Sequence, residues 1–190
     1  MELTDAQRGG GLTFAAGVPE ADRAWIRAAV ASARPEARRL IDEADGAVEV
    51  FALTDARSLS GGGSALGIAE QRSGSLRVGF DLPVLNGGLR SDREAAVLHE
   101  LGHIVDFTVV GDDLRAELDR LIPPGRPCES AVALGACAEP EERFADTFMK
   151  WALYGKVSAF GSGYAVPTPG SLADWGAPLD ALALRLDRER

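Results

Sequence analysis

The stretch "VLHELGHIVDF", Val97 to Phe107, decides how this chain is read. It contains both of the chain's histidines, His99 and His103, with Glu100 directly after the first. Residues four apart lie on one face of an α-helix, so a helical stretch aims both imidazoles at one point. Glu100 stands beside them. Two metal ligands and a proton-transferring carboxylate take this form. A catalytic zinc, however, takes three protein ligands and keeps a fourth position for water. With no other histidine in the chain, the third ligand must be of another residue type.

The flanks predict a helix. In "SDREAAVLHELGHIVDFTVVG", Ser91 and Glu94 read as a capping box, and Asp92 suits the positive helix N-terminus. Gly111 reads as the stop. Gly102 removes a side chain beside the second histidine, where a neighbouring helix can approach closely. The competing view has two histidines lining an ordinary core. It leaves unexplained why the whole histidine complement sits on one helix.

Outward from this helix, the pattern is mixed. Trp25, Ile26, Ala29, Val30, Leu40 and Ile41 recur at helical spacing between Glu20 and Ala44, and Pro35 divides the region into two helices. "AVEVFAL" (Ala47 to Leu53) is strand-like, "SLSGGGSALG" is a loop, and a further strand is expected around Ala65 to Ala69. "SLRVGFDL" (Ser75 to Leu82) alternates Leu76, Val78 and Phe80 with Arg77, Gly79 and Asp81. It reads as a half-buried strand at a sheet edge. "DDLRAELDRLI" is a short amphipathic helix ended by Pro123 and Pro124. "EPEERFADTFMKWALYG" is another helix, with Pro140 in its first turn and Gly155 at its end. A last helix is expected from about Pro178. The first twenty residues are Gly-rich and read as a loose arm.

Composition narrows the function classes. The 190 residues carry a net charge of -9, with 46% hydrophobic and 26% charged residues, which fits one globular domain. The acidic balance argues against nucleic acid and against anionic membrane surfaces, which both need clustered Lys and Arg. No apolar run has the length of a membrane-spanning helix, and the N-terminus lacks the pattern of a signal peptide. Cys128 and Cys137, in a Pro- and Gly-bounded loop, read as a disulfide and hence an oxidising, extracellular setting. Two buried thiols in a reducing cytosol are the alternative.

The third ligand has one easy candidate that fails. In the extended pattern HExxHxxGxxH a third histidine lies six residues past the second. Here Asp106 stands in the glycine place and Val109 in the ligand place. A carboxylate or thiolate from elsewhere is required. "ERFAD", Glu142 to Asp146, places two acids four apart on one helix face. Glu142 can bind a metal, and Asp146 can accept a hydrogen bond from the distal nitrogen of a ligand histidine, which fixes the ring and raises its basicity. Acids at a helix start are otherwise explained by the macrodipole. That accounts for Glu139 and Glu141, but not for Asp146 among Phe144, Phe148 and Met149. Those aromatics, with Trp151, read as packing for the His helix. Asp106, one turn past His103, either bonds a ligand or anchors an arginine.

HELGH at 99–103 followed by ERFAD at 142–146 resembles the gluzincin zinc metallopeptidases, in which a second acidic helix completes an HExxH helix. The E-x-F-A-acid wording is similar to the lethal-factor-like branch. The resemblance covers two helices, about a third of the chain. It implies His99, His103 and Glu142 as zinc ligands, Glu100 as general base and Asp146 as the acid behind a ligand. The lethal-factor-like proteins also carry an oxyanion-stabilising tyrosine seven residues before the third ligand. That position is Gly135 here. Of the two tyrosines present, Tyr154 ends the ERFAD helix and reads as core. Tyr164, in the Gly-rich loop "FGSGYAVP", is preferred for the oxyanion.

The expected molecule is therefore an α+β, zincin-like domain. A small twisted sheet and the His helix form an N-terminal lobe (about 20–111), and a mainly helical C-terminal lobe (about 112–190) supplies ERFAD. The expected activity is zinc-dependent endopeptidase, with metal-bound water activated by Glu100. A peptide or protein substrate would lie extended along an edge strand such as Ser75 to Leu82. No nucleic acid, no membrane insertion and a monomeric chain are expected. The alternative is a zincin-like, zinc-binding regulatory domain with little proteolysis, for which the missing tyrosine at 135 leaves room.

Overall fold

A computed structural model describes residues 9–53, 66–72, 75–124, 140–157 and 166–189. It is an α+β arrangement of helices around one small mixed sheet. The expected helix pair is present as α1 (Glu20–Ser32) and α2 (Pro35–Ala44). The break has a local cause. Arg34, preceding Pro35, is held extended (φ -58, ψ 152), because the proline ring disfavours helical geometry in the residue before it. The Arg34 N–H donates to the Ala152 carbonyl at 2.9 Å, and its guanidinium lies 4.4 Å from the Trp151 ring centroid.

The sheet has four strands: β1 (Thr13–Phe14), β2 (Val48–Ala52), β3 (Gly67–Arg72) and β4 (Ser75–Phe80), in the order β1-β2-β4-β3. β2 runs parallel to both β1 and β4, and β3 runs antiparallel to β4. Val48, Val50, Leu76, Val78 and Phe80 are buried. Between β2 and β4, Arg77 Nε donates to Glu49 Oε2 at 2.9 Å.

The expectation that Ser75 to Leu82 forms a sheet edge is overturned. β4 has a neighbour on each side, and the edge strands among the described residues are β1 and β3. Alternation of apolar and polar side chains reports that one face is covered. It carries no information on how many strands pair with the backbone, so central and edge strands look alike in sequence. The strand also stops two residues early, at Phe80. Asp81 Oδ1 accepts the Val84 N–H at 3.1 Å and opens a short helix, α3 (Leu82–Gly87).

The long helix α4 (Arg90–Thr108) carries the His stretch, and every residue from Ala95 to Asp106 is buried. Its cap differs from the expected one. Asp92 Oδ2 accepts the Leu89 N–H at 3.3 Å, whereas Glu94 pairs with Arg90 at 2.8 Å. Gly111 is not the stop; it precedes α5 (Asp112–Leu121), three residues beyond the end of α4. After α6 (Pro140–Ala152), Tyr154 and Gly155 turn the chain with positive φ values of 55 and 73. Tyr154 is 59% exposed, so it is not a core residue.

The last helix, α7 (Leu172–Arg188), begins six residues before Pro178. Ser171 caps it by accepting the Asp174 N–H at 3.1 Å. Proline removes one backbone bond in the second turn, but Trp175, Leu179, Leu182 and Ala183 stay buried on one face. One hydrophobic core runs through the described residues from Val18 to Ala183.

Candidate metal centre

A helix buried on all sides cannot carry charged groups without a reason, because unpaired buried charge costs several kcal/mol. Within its buried run, α4 carries His99, Glu100, His103 and Asp106. Each has a definable environment.

His99 and His103 stand one turn apart with ring centroids separated by 4.9 Å and planes nearly perpendicular at 86°. Phe107, one further turn on, stacks against His103 at 5.9 Å. The second helix, α6, crosses against α4 and delivers Glu142. One Glu142 oxygen, Oε2, lies 3.0 Å from His99 Nε2 and 3.3 Å from His103 Nε2. The three candidate ligand atoms all lie within 4.8 Å of one another. The sequence therefore identified two helices and a carboxylate that tertiary structure does bring together.

These spacings suit a metal ion. Zinc bonds to nitrogen and oxygen of about 2.0–2.2 Å in tetrahedral geometry place neighbouring ligand atoms roughly 3.3 Å apart. Both histidines are buried, and the Glu142 side chain keeps 25% of its surface exposed. The cluster is therefore open to solvent on the Glu142 side. His103 Nδ1 is buried and has no hydrogen-bond partner among the described residues. The donor set of two imidazoles and a carboxylate fits zinc and other borderline divalent ions alike.

The protonation preferences of these groups follow from their burial and from their packing against one another. Burial would raise the Glu142 carboxyl, yet hydrogen bonds from His103 and His99 outweigh it and hold the group well below the usual carboxylate range. Burial pulls His103 down, but the Glu142 hydrogen bond and the Glu100 charge lift it above its ordinary value. Glu100 is raised by burial, with His99 and His103 only partly offsetting that effect. It makes no ion pair with Lys or Arg among the described residues. Two carboxylates and two imidazoles packed together are stabilised by a cation between them.

Asp106 resolves toward one of its two expected roles. Arg115 of α5 donates from Nε to Asp106 Oδ1 at 2.5 Å and from Nη2 to the Asp106 carbonyl at 2.7 Å. It anchors α5 to the end of the His helix. Asp146 is buried one turn behind Glu142, and Lys150, a further turn on, pairs with it at 2.5 Å. Lys150 also donates to the Val166 carbonyl at 2.6 Å. The Asp146–Lys150 spacing of four was legible in the sequence and was missed.

Glycine 102 behaves as expected. A Cβ there would stand 3.1 Å from Ala145 Cα and 3.2 Å from Phe148 Cδ1, so the two helices touch at this point. Phe144, Phe148 and Trp151 pack in the core beside Trp175. Gly135, Tyr164, Cys128 and Cys137 lie outside the described residues. No helix among the described residues is long and apolar enough to cross a membrane. No protein-family model, curated protein or solved structure matches this chain.

Proposed function

We propose that this chain is a zinc-dependent endopeptidase of gluzincin type with a zincin-like fold. The observation that carries the reading is one Glu142 oxygen within hydrogen-bonding distance of both imidazole Nε2 atoms, from a separate helix. His99, His103 and Glu142 would hold the ion. A zinc ion held there lowers the pKa of bound water to about 7 and polarises a peptide carbonyl. Glu100, on the same helix, accepts the proton of the attacking water and returns it to the leaving amine nitrogen. The environment that raises its proton affinity suits a group that must both take and give a proton near neutral pH. Asp146 orients a ligand from behind, supported by its burial on the Glu142 face of α6.

The substrate lies extended along β3, which has a strand neighbour on one side only among the described residues. Tyr164 is assigned to the oxyanion. The other tyrosine, Tyr154, lies in the turn beyond the C-terminal end of α6, whereas Glu142 is in its first turn, and its ring packs against Arg34. Tyr164→Phe should lower kcat and leave KM in place; unchanged kcat removes Tyr164 from the site.

The decisive experiment is elemental analysis of the purified chain, followed by digestion of a peptide library with and without a chelator. Glu100→Gln should retain the metal and lose hydrolysis by a factor of about 10² to 10⁴. A variant that still cleaves peptides at the parent rate rejects the mechanism. A chain that binds metal but cleaves nothing supports the alternative of a zinc-binding regulatory domain.

A further inference from the structure

Gly67 opens the edge strand β3, with its partner Phe80 on β4. The backbone gives no reason for a glycine here. The positive-φ glycines among the described residues are Gly9, Gly11 and Gly155, and Gly67 is not one of them. A glycine inside a strand weakens it by roughly 0.5–1 kcal/mol and marks a close approach when no turn needs it. The close approach is to Glu100. A Cβ on Gly67 would lie 2.6 Å from both Glu100 Cγ and Glu100 Oε1, and 2.9 Å from Cδ. All three of these nearest atoms belong to that one side chain.

From this contact we propose that Gly67 is a positioning residue: strand β3 forms the wall against which the Glu100 carboxylate is set, and the missing side chain at 67 is the space the carboxylate occupies. The inference rests on the reading of Glu100 as the proton-transferring base. The physical argument is one of relative stiffness. β3 is pinned to β4 along six residue pairs, and the Leu66 carbonyl accepts the Asp81 N–H at 3.0 Å. Glu100 is buried, but its end can turn about side-chain torsions that a paired strand backbone lacks, and it makes no ion pair with Lys or Arg among the described residues. When a methyl group is added at 67, the carboxylate yields and the strand stays. A catalytic group displaced by about 1 Å can lose on the order of 10²-fold in rate.

The test uses the full chain with a Gly67→Ala substitution, with Gly87→Ala as a control. Gly87 ends α3, and a Cβ there would meet no heavy atom within 4 Å. Gly67→Ala is expected to keep the parent metal content and melting temperature within a few degrees, and to lose kcat by about 10²-fold or more with KM little changed. Gly87→Ala should keep kcat. A crystal structure of Gly67→Ala provides a readout that does not depend on activity. The expected result is a Glu100 carboxylate turned away from its parent position beneath an unmoved β3. A shifted strand over an unmoved Glu100 overturns the proposal, as does a parent-like kcat in Gly67→Ala. If the parent chain cleaves no peptide, the function reading fails on its own terms, and the crystallographic comparison still decides whether Gly67 sets Glu100.

Discussion

Gly102 of α4 lies against the backbone of Ala145 in α6, so close that a Cβ there would stand 3.1 Å from Ala145 Cα. This contact is a point of close approach between the two helices that carry His99, His103 and Glu142. His103 follows Gly102 directly, and Glu142 precedes Ala145 by one turn, so the glycine–alanine contact lies close to where the ligands meet. Small residues at such crossings let helix axes approach more closely than ordinary side chains allow.

Gly102→Ala should therefore act on the metal before it acts on the fold. The new methyl would meet Ala145 Cα at 3.1 Å and its carbonyl oxygen at 3.3 Å. Backbone atoms cannot turn aside as a side chain does, so α6 must move outward. Overpacking of this kind costs about 1–3 kcal/mol. Thermal melts should show that loss, and a competition titration with a chelating dye should show weaker zinc binding. Parent-level affinity would mean that Glu142 reaches the site without the close crossing.

Glu142→Ala removes the one ligand that α4 does not supply. Zinc content should fall to a small fraction of the parent's, while the metal-free protein keeps its fold, because the Glu142 side chain is partly exposed. Glu142→Asp should lie between the two, since its carboxylate is one methylene shorter. Full metal occupancy in Glu142→Ala would move the third ligand to another acid, with Asp146 and Glu141 as the neighbours to test.

Arg115→Ala should destabilise the chain without touching the metal ligands. Asp106 is 1% exposed, and its carboxylate and carbonyl are both met by Arg115. Removing the guanidinium leaves a buried carboxylate without its ion-pair partner, a loss of about 1–3 kcal/mol. Denaturant unfolding should show this as a lower midpoint with an unchanged slope. An Arg115→Ala chain as stable as the parent would show that Asp106 does not depend on this pair.

The metal-free protein should become less stable as pH rises above neutrality. His103 is raised above its ordinary value of 6.5 in the folded chain. Below 6.5 its contribution is fully present. Between 6.5 and the raised value the folded chain holds a proton that the unfolded chain has released, so stability falls with pH. Glu100, raised above 4.5 by burial, acts with the same sign from that lower pH upward. Zinc binding runs the other way, because ligand imidazoles must be deprotonated. The melting temperature gained on adding zinc should grow over this pH range. A metal-free protein that gains stability from pH 6.5 to 8 would contradict this assignment.

The boundaries of the helices and strands were largely legible because their causes are local. Pro35 divides α1 from α2, and Pro140 falls in the first turn of α6, each through its own ring. The misses have causes beyond the reach of a short window. Pro178 looked like a beginning, but burial of Trp175 and Leu179 outweighs one absent backbone bond. Ser75 to Leu82 looked like an edge because a strand's alternation reflects its faces, while its sheet neighbours are set by the chain's path.

By itself, the sequence determined that His99 and His103 share a helical face, that Glu100 stands beside them, and that Glu142 and Asp146 repeat the four-residue spacing on a second helix. These are consequences of 3.6 residues per turn, which acts within one element. Only the tertiary structure decided that Glu142 meets both imidazoles, that Arg115 answers Asp106, and that β3, rather than β4, is the edge that lies over Glu100. Each of these contacts joins residues from different elements, and their distances depend on how close two backbones can pack. At Gly102 and Gly67 that limit is set by a side chain that is not there.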